Sequence, residues 1–154
     1  MRTLVLLGAL VALAIPVAAL AKGPSSASIS GPGMSRALAV AGDGEVTGNA
    51  LGSLAQTSGF FPQMFGQTPD PILAARPAGN LGPRYKVVYL VPGPNAIRSR
   101  VVQWVYPFAK GGSLTYMRPG QRFWDGRKAR GGWFRATGLR SVLRQIGWRV
   151  AARS

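Results

Sequence analysis

The segment Arg84 to Val91, RYKVVYLV, constrains the fold more than any other stretch of the sequence. Tyr85, Val87, Tyr89 and Val91 share one face, Val88 and Leu90 the other, with Lys86 and Arg84 toward the open end. Alternation of aromatic and β-branched residues with a period of two marks a strand buried against a core. Pro92-Gly93-Pro94-Asn95 ends it with turn residues, and Ile97 to Tyr106 (IRSRVVQWVY) reads as its antiparallel partner, closed by Pro107. A turn at residues 109–112 leads to a third strand, Ser113 to Met117. Beyond the turn Arg118-Pro119-Gly120-Gln121, residues 125–132 read as a basic loop and 132–136 as a short fourth strand.

Helical spacing is clearest near the C-terminus. Leu139, Val142, Leu143 and Ile146 fall at i, i+3, i+4 and i+7, with Thr137 as the expected N-cap and Gly147 at the C-terminal cap. Arg140 and Arg144 take the wet face. The apolar stripe needs a surface to cover, and the Tyr85/Val87/Tyr89/Val91 face is the natural one.

Upstream, residues 22–35 (KGPSSASISGPGMS) read as a flexible leader holding at most one short strand near 27–30, and residues 36–41 as a strand. Residues 49–57 form a short helix capped by Asn49 and stopped at Gly59, and the cluster Phe60, Phe61, Met64 and Phe65 follows with Pro62 inside it. Between residues 66 and 83, Pro69, Pro71, Pro77 and Pro83 exclude a long regular element, which leaves an ordered loop draped on the core. The expected fold class is α+β: a small antiparallel sheet of three to five strands, a C-terminal helix packed on one face and a short N-terminal helix. It occupies residues 36–148 as a single domain, followed by a basic tail, 149–154.

The N-terminus has a different character. Arg2 precedes a 12-residue apolar run, Leu4 to Ile15; Pro16 breaks the run, and Ala19-Leu20-Ala21 offers a small-x-small cleavage site. A bilayer span takes about 20 residues, so residues 1–21 read as a signal peptide cleaved after Ala21, and the mature chain as secreted or extracytoplasmic. The alternative is an uncleaved anchor over residues 4–21. No later segment has the run of apolar residues a transmembrane span requires, and with no Cys in the chain lipid acylation is chemically closed.

Charge divides the rest sharply. Residues 22–83 hold three bases (Lys22, Arg36, Arg76) and three acids (Asp43, Glu45, Asp70), whereas residues 84–154 hold 15 bases against Asp125 alone, a net +14. The absence of His and Cys removes zinc sites, disulfide scaffolds and His-based nucleophile pairs. No catalytic set, cofactor site or metal site is expected. Asp43 and Glu45 are close enough for a carboxylate dyad, which keeps a hydrolase as one alternative, but their Gly-flanked turn offers no burial to raise a pKa. Neither S-x-x-K nor a phosphate-binding glycine loop occurs.

The stretch RPGQRFWDGRKARGGWFR interleaves Arg118, Arg122, Arg127, Lys128, Arg130 and Arg135 with Phe123, Trp124, Trp133 and Phe134. With Arg140 and Arg144 these bases are the anion-binding candidates, since charge holds phosphates or carboxylates and flat rings stack. The plainer interpretation places one of Trp133 and Phe134 inward and leaves the bases to keep a hairpin soluble. Gly132 stands where an RNA-recognition signature needs an aromatic, and nucleic acid is not the expected partner of an exported chain. The expected function is therefore a non-enzymatic exported domain that binds anionic cell-envelope polymers or lipid headgroups through its basic half. A second alternative is a protein-interaction or structural module whose partner meets Phe60, Phe61 and Phe65.

Several phrases carry a resemblance: Gly59-Phe60-Phe61-Pro62, Arg84-Tyr85 running to Val91-Pro92-Gly93-Pro94, Tyr106-Pro107-Phe108-Ala109, Thr115-Tyr116 with Pro119-Gly120-Gln121, and Gly131-Gly132-Trp133-Phe134-Arg135-Ala136. Over about residues 27–147 the chain resembles small exported proteins of unknown function from high-GC Gram-positive bacteria. The resemblance implies export and a single α+β domain, and no particular activity.

Overall fold

The computed structural model describes residues 23–46 and 48–149. The expected signal peptide and the tail beyond Arg149 lie outside them. The fold is α+β, with an antiparallel sheet of six strands: β1 (Ser26–Ser30), β2 (Leu38–Ala41), β3 (Tyr85–Pro92), β4 (Arg98–Tyr106), β5 (Leu114–Met117) and β8 (Gly132–Arg135), in the order β2-β1-β3-β4-β5-β8. A separate two-stranded hairpin, β6 (Arg122–Phe123) with β7 (Arg127–Lys128), lies within the segment expected to be basic loop.

Two strands more than the central four come from the N-terminal segment, which explains why the sheet exceeds three to five. The sequence SASIS has small residues and weak strand propensity, yet β1 pairs on both sides, Ile29 lying opposite Leu38 of β2 and Val87 of β3. Tertiary pairing overrides local preference here. Ala27 and Ile29 point into the core while Ser26, Ser28 and Ser30 face outward.

One face of the sheet carries the main core. Ile29, Tyr85, Val87, Tyr89, Val91, Val101, Val105 and Met117 form it with Leu51, Leu54 and Phe60 from α1 (Ala50–Thr57) and α2 (Phe60–Phe65), and with Leu139 and Leu143 from α3 (Leu139–Gln145). Asn49 caps α1, its side chain accepting from the Gly52 N–H at 2.9 Å. The chain does not unwind at Gly59 as a single N-terminal helix would require: Gly59 adopts φ 75°, turns the backbone and starts α2, with Pro62 tolerated in its first turn. A Cβ on Gly59 would collide with the Phe134 ring, so the turn and the close approach both call for glycine. At α3 the residue in the N-cap position is Gly138, in the left-handed region with no side-chain cap bond, and not Thr137.

Where α1 hands over to α2, a polar network is buried in the core. Ser58, Gln63, Gln103 and Thr115 are all fully inaccessible. Tyr89 Oη donates to Gln103 Oε1 (3.1 Å) and shares a hydrogen bond with Ser58 Oγ (3.0 Å). Gln103 Nε2 donates to Ser58 O (2.9 Å) and to Gln63 Oε1 (2.6 Å); Gln63 Nε2 reaches Gly132 O (2.8 Å), and Thr115 Oγ1 reaches Ser58 O (2.7 Å). Burial pushes the Tyr89 phenol up from its usual value, with the Ser58 hydroxyl opposing the shift, so it serves as a neutral hydrogen-bonding group. The α2 end is tied down too, since Arg130 N–H and Gly131 N–H bond to Met64 O and Gln63 O.

Gln121 closes another gap. Past Met117 the chain leaves β4, and the Gln121 amide takes over: Oε1 accepts from Val102 N–H (2.9 Å) and Nε2 donates to Val102 O (2.8 Å). Among the described residues no helix is long and apolar enough to cross a membrane.

Replacing Gln103 with Leu would strand Gln63 Oε1 in the core, a buried group costing about 1–3 kcal/mol when unpaired. It would also leave the Tyr89 hydroxyl with Ser58 Oγ as its remaining partner at 3.0 Å, while its bond to the amide, worth about 1 kcal/mol, is lost. Gln103→Leu is expected to lower unfolding free energy by about 2–4 kcal/mol in chemical denaturation, although leucine is the more apolar residue. A variant as stable as the parent would show that the network contributes nothing net.

Candidate functional site

The outer face of the sheet is set by the same alternation that builds the core. Lys86 lies opposite Trp104, Trp104 opposite Tyr116, and Tyr116 opposite Trp133, so one row of side chains crosses β3, β4, β5 and β8 on the face away from the helices. Tyr106 and Leu114 lie beside that row. Leu81, Tyr106, Ala109 and Leu114 form a second, smaller core, against which Leu73, Trp104, Tyr116 and Trp133 pack half-buried. Trp133 rests against Tyr116 (ring centroids 4.7 Å, 33° between planes) and against Tyr106 (5.5 Å, 36°).

The proline-rich segment between α2 and β3 builds the wall. Leu73 N–H bonds to Trp133 O (2.8 Å), which sets the loop on the outer edge of β8. Asn80 turns the chain back, its Oδ1 accepting from Gly82 N–H and its carbonyl from Lys110 N–H, both at 2.8 Å. Between wall and sheet is a cleft of about 490 Å³ lined by Arg76, Asn80, Leu81, Arg84 and the rings of Trp104, Tyr106, Tyr116 and Trp133. That volume falls within the range of small-ligand sites.

The Arg84 guanidinium lies over the Trp104 ring, 4.2 Å from its centroid. Stacking restrains the flexible side chain while leaving the N–H edge of the guanidinium for a planar acceptor. Arg76 and Arg84 are exposed, and among the described residues neither has a carboxylate partner. Three of the four acids are engaged elsewhere: Asp70 pairs with Arg130, Asp43 Oδ1 accepts from Glu45 N–H (2.9 Å), and Glu45 Oε1 from Gly23 N–H (2.8 Å). Asp43 and Glu45 thus hold backbone in an exposed turn, and no group of His, Cys, Asp or Glu able to hold a metal ion forms among the described residues.

The bases singled out from the sequence do not converge. Arg122, Arg127 and Lys128 lie on the β6–β7 hairpin, with Arg118 in the turn before it. Arg130 is paired with Asp70, and Arg135 Nη1 donates to Gly111 O at 2.9 Å. Arg140 and Arg144 lie on α3, in the helical layer on the opposite side of the sheet from the cleft. Their interleaved aromatics are mostly structural: Phe123 is buried, Phe134 packs on the main core, and Trp124 Nε1 donates to Pro92 O (2.9 Å). Trp133 alone of the four faces the cleft. Of the proposed partner-contact residues, Phe60 is completely buried, its ring 4.6 Å from that of Tyr89, and so has no surface for a partner. Phe61 and Phe65 are partly buried against the same core.

Sequence reasoning passed over Arg76, Arg84, Trp104, Tyr106 and Tyr116 as site residues. The available signal was the second face of the strands: Trp104 and Tyr106 alternate with the inward Gln103 and Val105, and a strand with large aromatics on its outer side needs a second cover.

Two bonds hold the Asp70 carboxyl below its ordinary 3.8: first the Ile72 N–H (3.0 Å), then the Arg130 guanidinium. A depressed carboxylate pKa stabilises the fold above the unfolded value and loses that contribution as pH falls through the folded one. Asp70→Asn is therefore expected to flatten the acid limb of a stability–pH curve below about pH 4 and leave the neutral region nearly unchanged, the pair being exposed. Carboxyl chemical shifts followed by NMR would show Asp70 titrating lower than an unperturbed aspartate. No protein-family model, curated protein or solved structure matches the chain.

Proposed function

We propose that this protein is a non-enzymatic module of the cell exterior that binds anionic envelope polymers on the outer face of its sheet. The observation that carries this reading is the pair Arg76 and Arg84, cations lining an aromatic cleft with no carboxylate partner among the described residues. The +14 of residues 84–154 supplies long-range attraction, and the cleft supplies the place where it is used. Export is the expectation drawn from residues 1–21, and it makes wall and capsule polymers the abundant anions available.

A polymer suits this surface better than a bilayer. Among the described residues the large exposed apolar side chains, Val46, Ile97 and Phe108, lie on three separate loops, whereas insertion into lipid takes a contiguous apolar face. Catalysis has little support, since Asp43 and Glu45 are exposed and bonded to backbone N–H groups.

Sedimentation of the purified protein with wall fragments tests the reading. Arg76→Ala with Arg84→Ala is expected to weaken retention about tenfold, the loss of one or two charge-assisted bonds. Arg140→Ala with Arg144→Ala removes the same charge from α3 and is expected to change it less than about twofold. Equal losses would reduce the interaction to net charge and remove the cleft; tighter retention on anionic vesicles than on wall fragments would replace the polymer by lipid.

A further inference from the structure

The cleft's chemistry selects among anions. Ring faces are largely taken inside it: Arg84 covers Trp104, and Trp133 leans on two tyrosines at 4.7 and 5.5 Å. A ligand that needs an open ring face, as a nucleobase does, meets little of one. The lining residues carry polar groups as well: the guanidinium groups of Arg76 and Arg84, the hydroxyls of Tyr106 and Tyr116, the indole N–H groups of Trp104 and Trp133, and the NH2 of Asn80, whose Oδ1 is taken by Gly82 N–H. Aromatic edges carry the positive part of the ring quadrupole and add to the preference for an anion.

Several donors of different reach around a small apolar floor match a unit that carries many hydroxyls as well as a charge. We infer that the cleft is a subsite for an acidic sugar unit, its carboxylate or phosphate held by the Arg84 fork and its hydroxyls by the neighbouring phenol, indole and amide groups. The inference rests on the polymer-binding reading and adds to it the class of monomer recognised. A featureless polyanion of equal charge satisfies the guanidinium groups alone and leaves the other donors to water. Arg84 is the specificity-determining residue, because its planar fork sits pre-stacked on Trp104 and lysine cannot reproduce that geometry.

The test is tryptophan fluorescence titration of the full protein at moderate salt. Titrants of matched charge are oligogalacturonate (carboxylate sugar), phosphomannan (phosphate sugar), polyglutamate, inorganic polyphosphate and, as an uncharged control, dextran. One or both acidic glycans are expected to bind at least about tenfold more tightly than polyglutamate or polyphosphate, and the better of the two names the anionic group. Arg84→Lys is expected to lower that preference about tenfold at unchanged net charge, whereas Arg140→Lys leaves it intact. If all four anions bind alike, or if polyglutamate or polyphosphate binds best, the sugar subsite is wrong and the polymer-binding reading stands. Binding of dextran as tight as that of the acidic glycans removes the role given to Arg84, and no binding by any titrant removes both readings.

Discussion

The backbone carbonyl of Ser58 is the point on which the fold depends. It lies in the core between α1 and α2, and two side chains from different strands, Gln103 of β4 and Thr115 of β5, donate to it. Around it Tyr89, Gln63 and Gln103 complete a network with no exposed member. Apolar contacts would tolerate a helical layer rotated or shifted over the sheet, since dispersion and burial are weakly directional. Hydrogen bonds in a dry interior are not so permissive: a shift of one residue leaves several polar groups unpaired. The network therefore fixes where the helices sit on β3, β4 and β5. One consequence follows on the far side of the sheet, because pinning α2 pins the start of the long proline-rich segment that becomes the cleft wall.

Two cores on the two faces of one sheet give those faces different tasks. The larger, under the helices, carries most of the apolar burial. The smaller, of Leu81, Tyr106, Ala109 and Leu114, holds a loop in place and leaves aromatic side chains half in water. Rings half in water beside guanidinium groups with no carboxylate partner among the described residues add less to stability than the same rings would in the main core.

Much of the architecture was legible in the sequence, for an identifiable reason. β3 alternates strictly, Pro and Gly punctuate the ends of β3 and β4, and the spacing of Leu139, Val142, Leu143 and Ile146 allows a helix and little else. β1 was harder, because SASIS gains its strand conformation from partners on both sides and hardly at all from its own residues. The second helix was concealed by Pro62, acceptable only because it falls in the first turn, where an N–H would have had no carbonyl of the helix to donate to. The cleft was not legible in the sequence, where local charge density points instead to residues 118–135. Charge density along a sequence does not reveal pairing or facing: Arg130 is paired with Asp70 and Phe123 is buried, while Arg76 and Arg84 come together only through the fold of the intervening loop.

Gln121 gives the sheet a property its strand order conceals. On its β5 side, beyond Met117, β4 has no strand hydrogen-bonded to it, and a single amide fills the gap by matching both the donor and the acceptor of Val102. A side chain is thus serving as a one-residue strand. Exposed strand edges recruit other chains, and charged or covered edges are the usual protection. Removing that one neutral glutamine would leave both backbone groups of Val102 without their partner on this side, next to the β6–β7 hairpin.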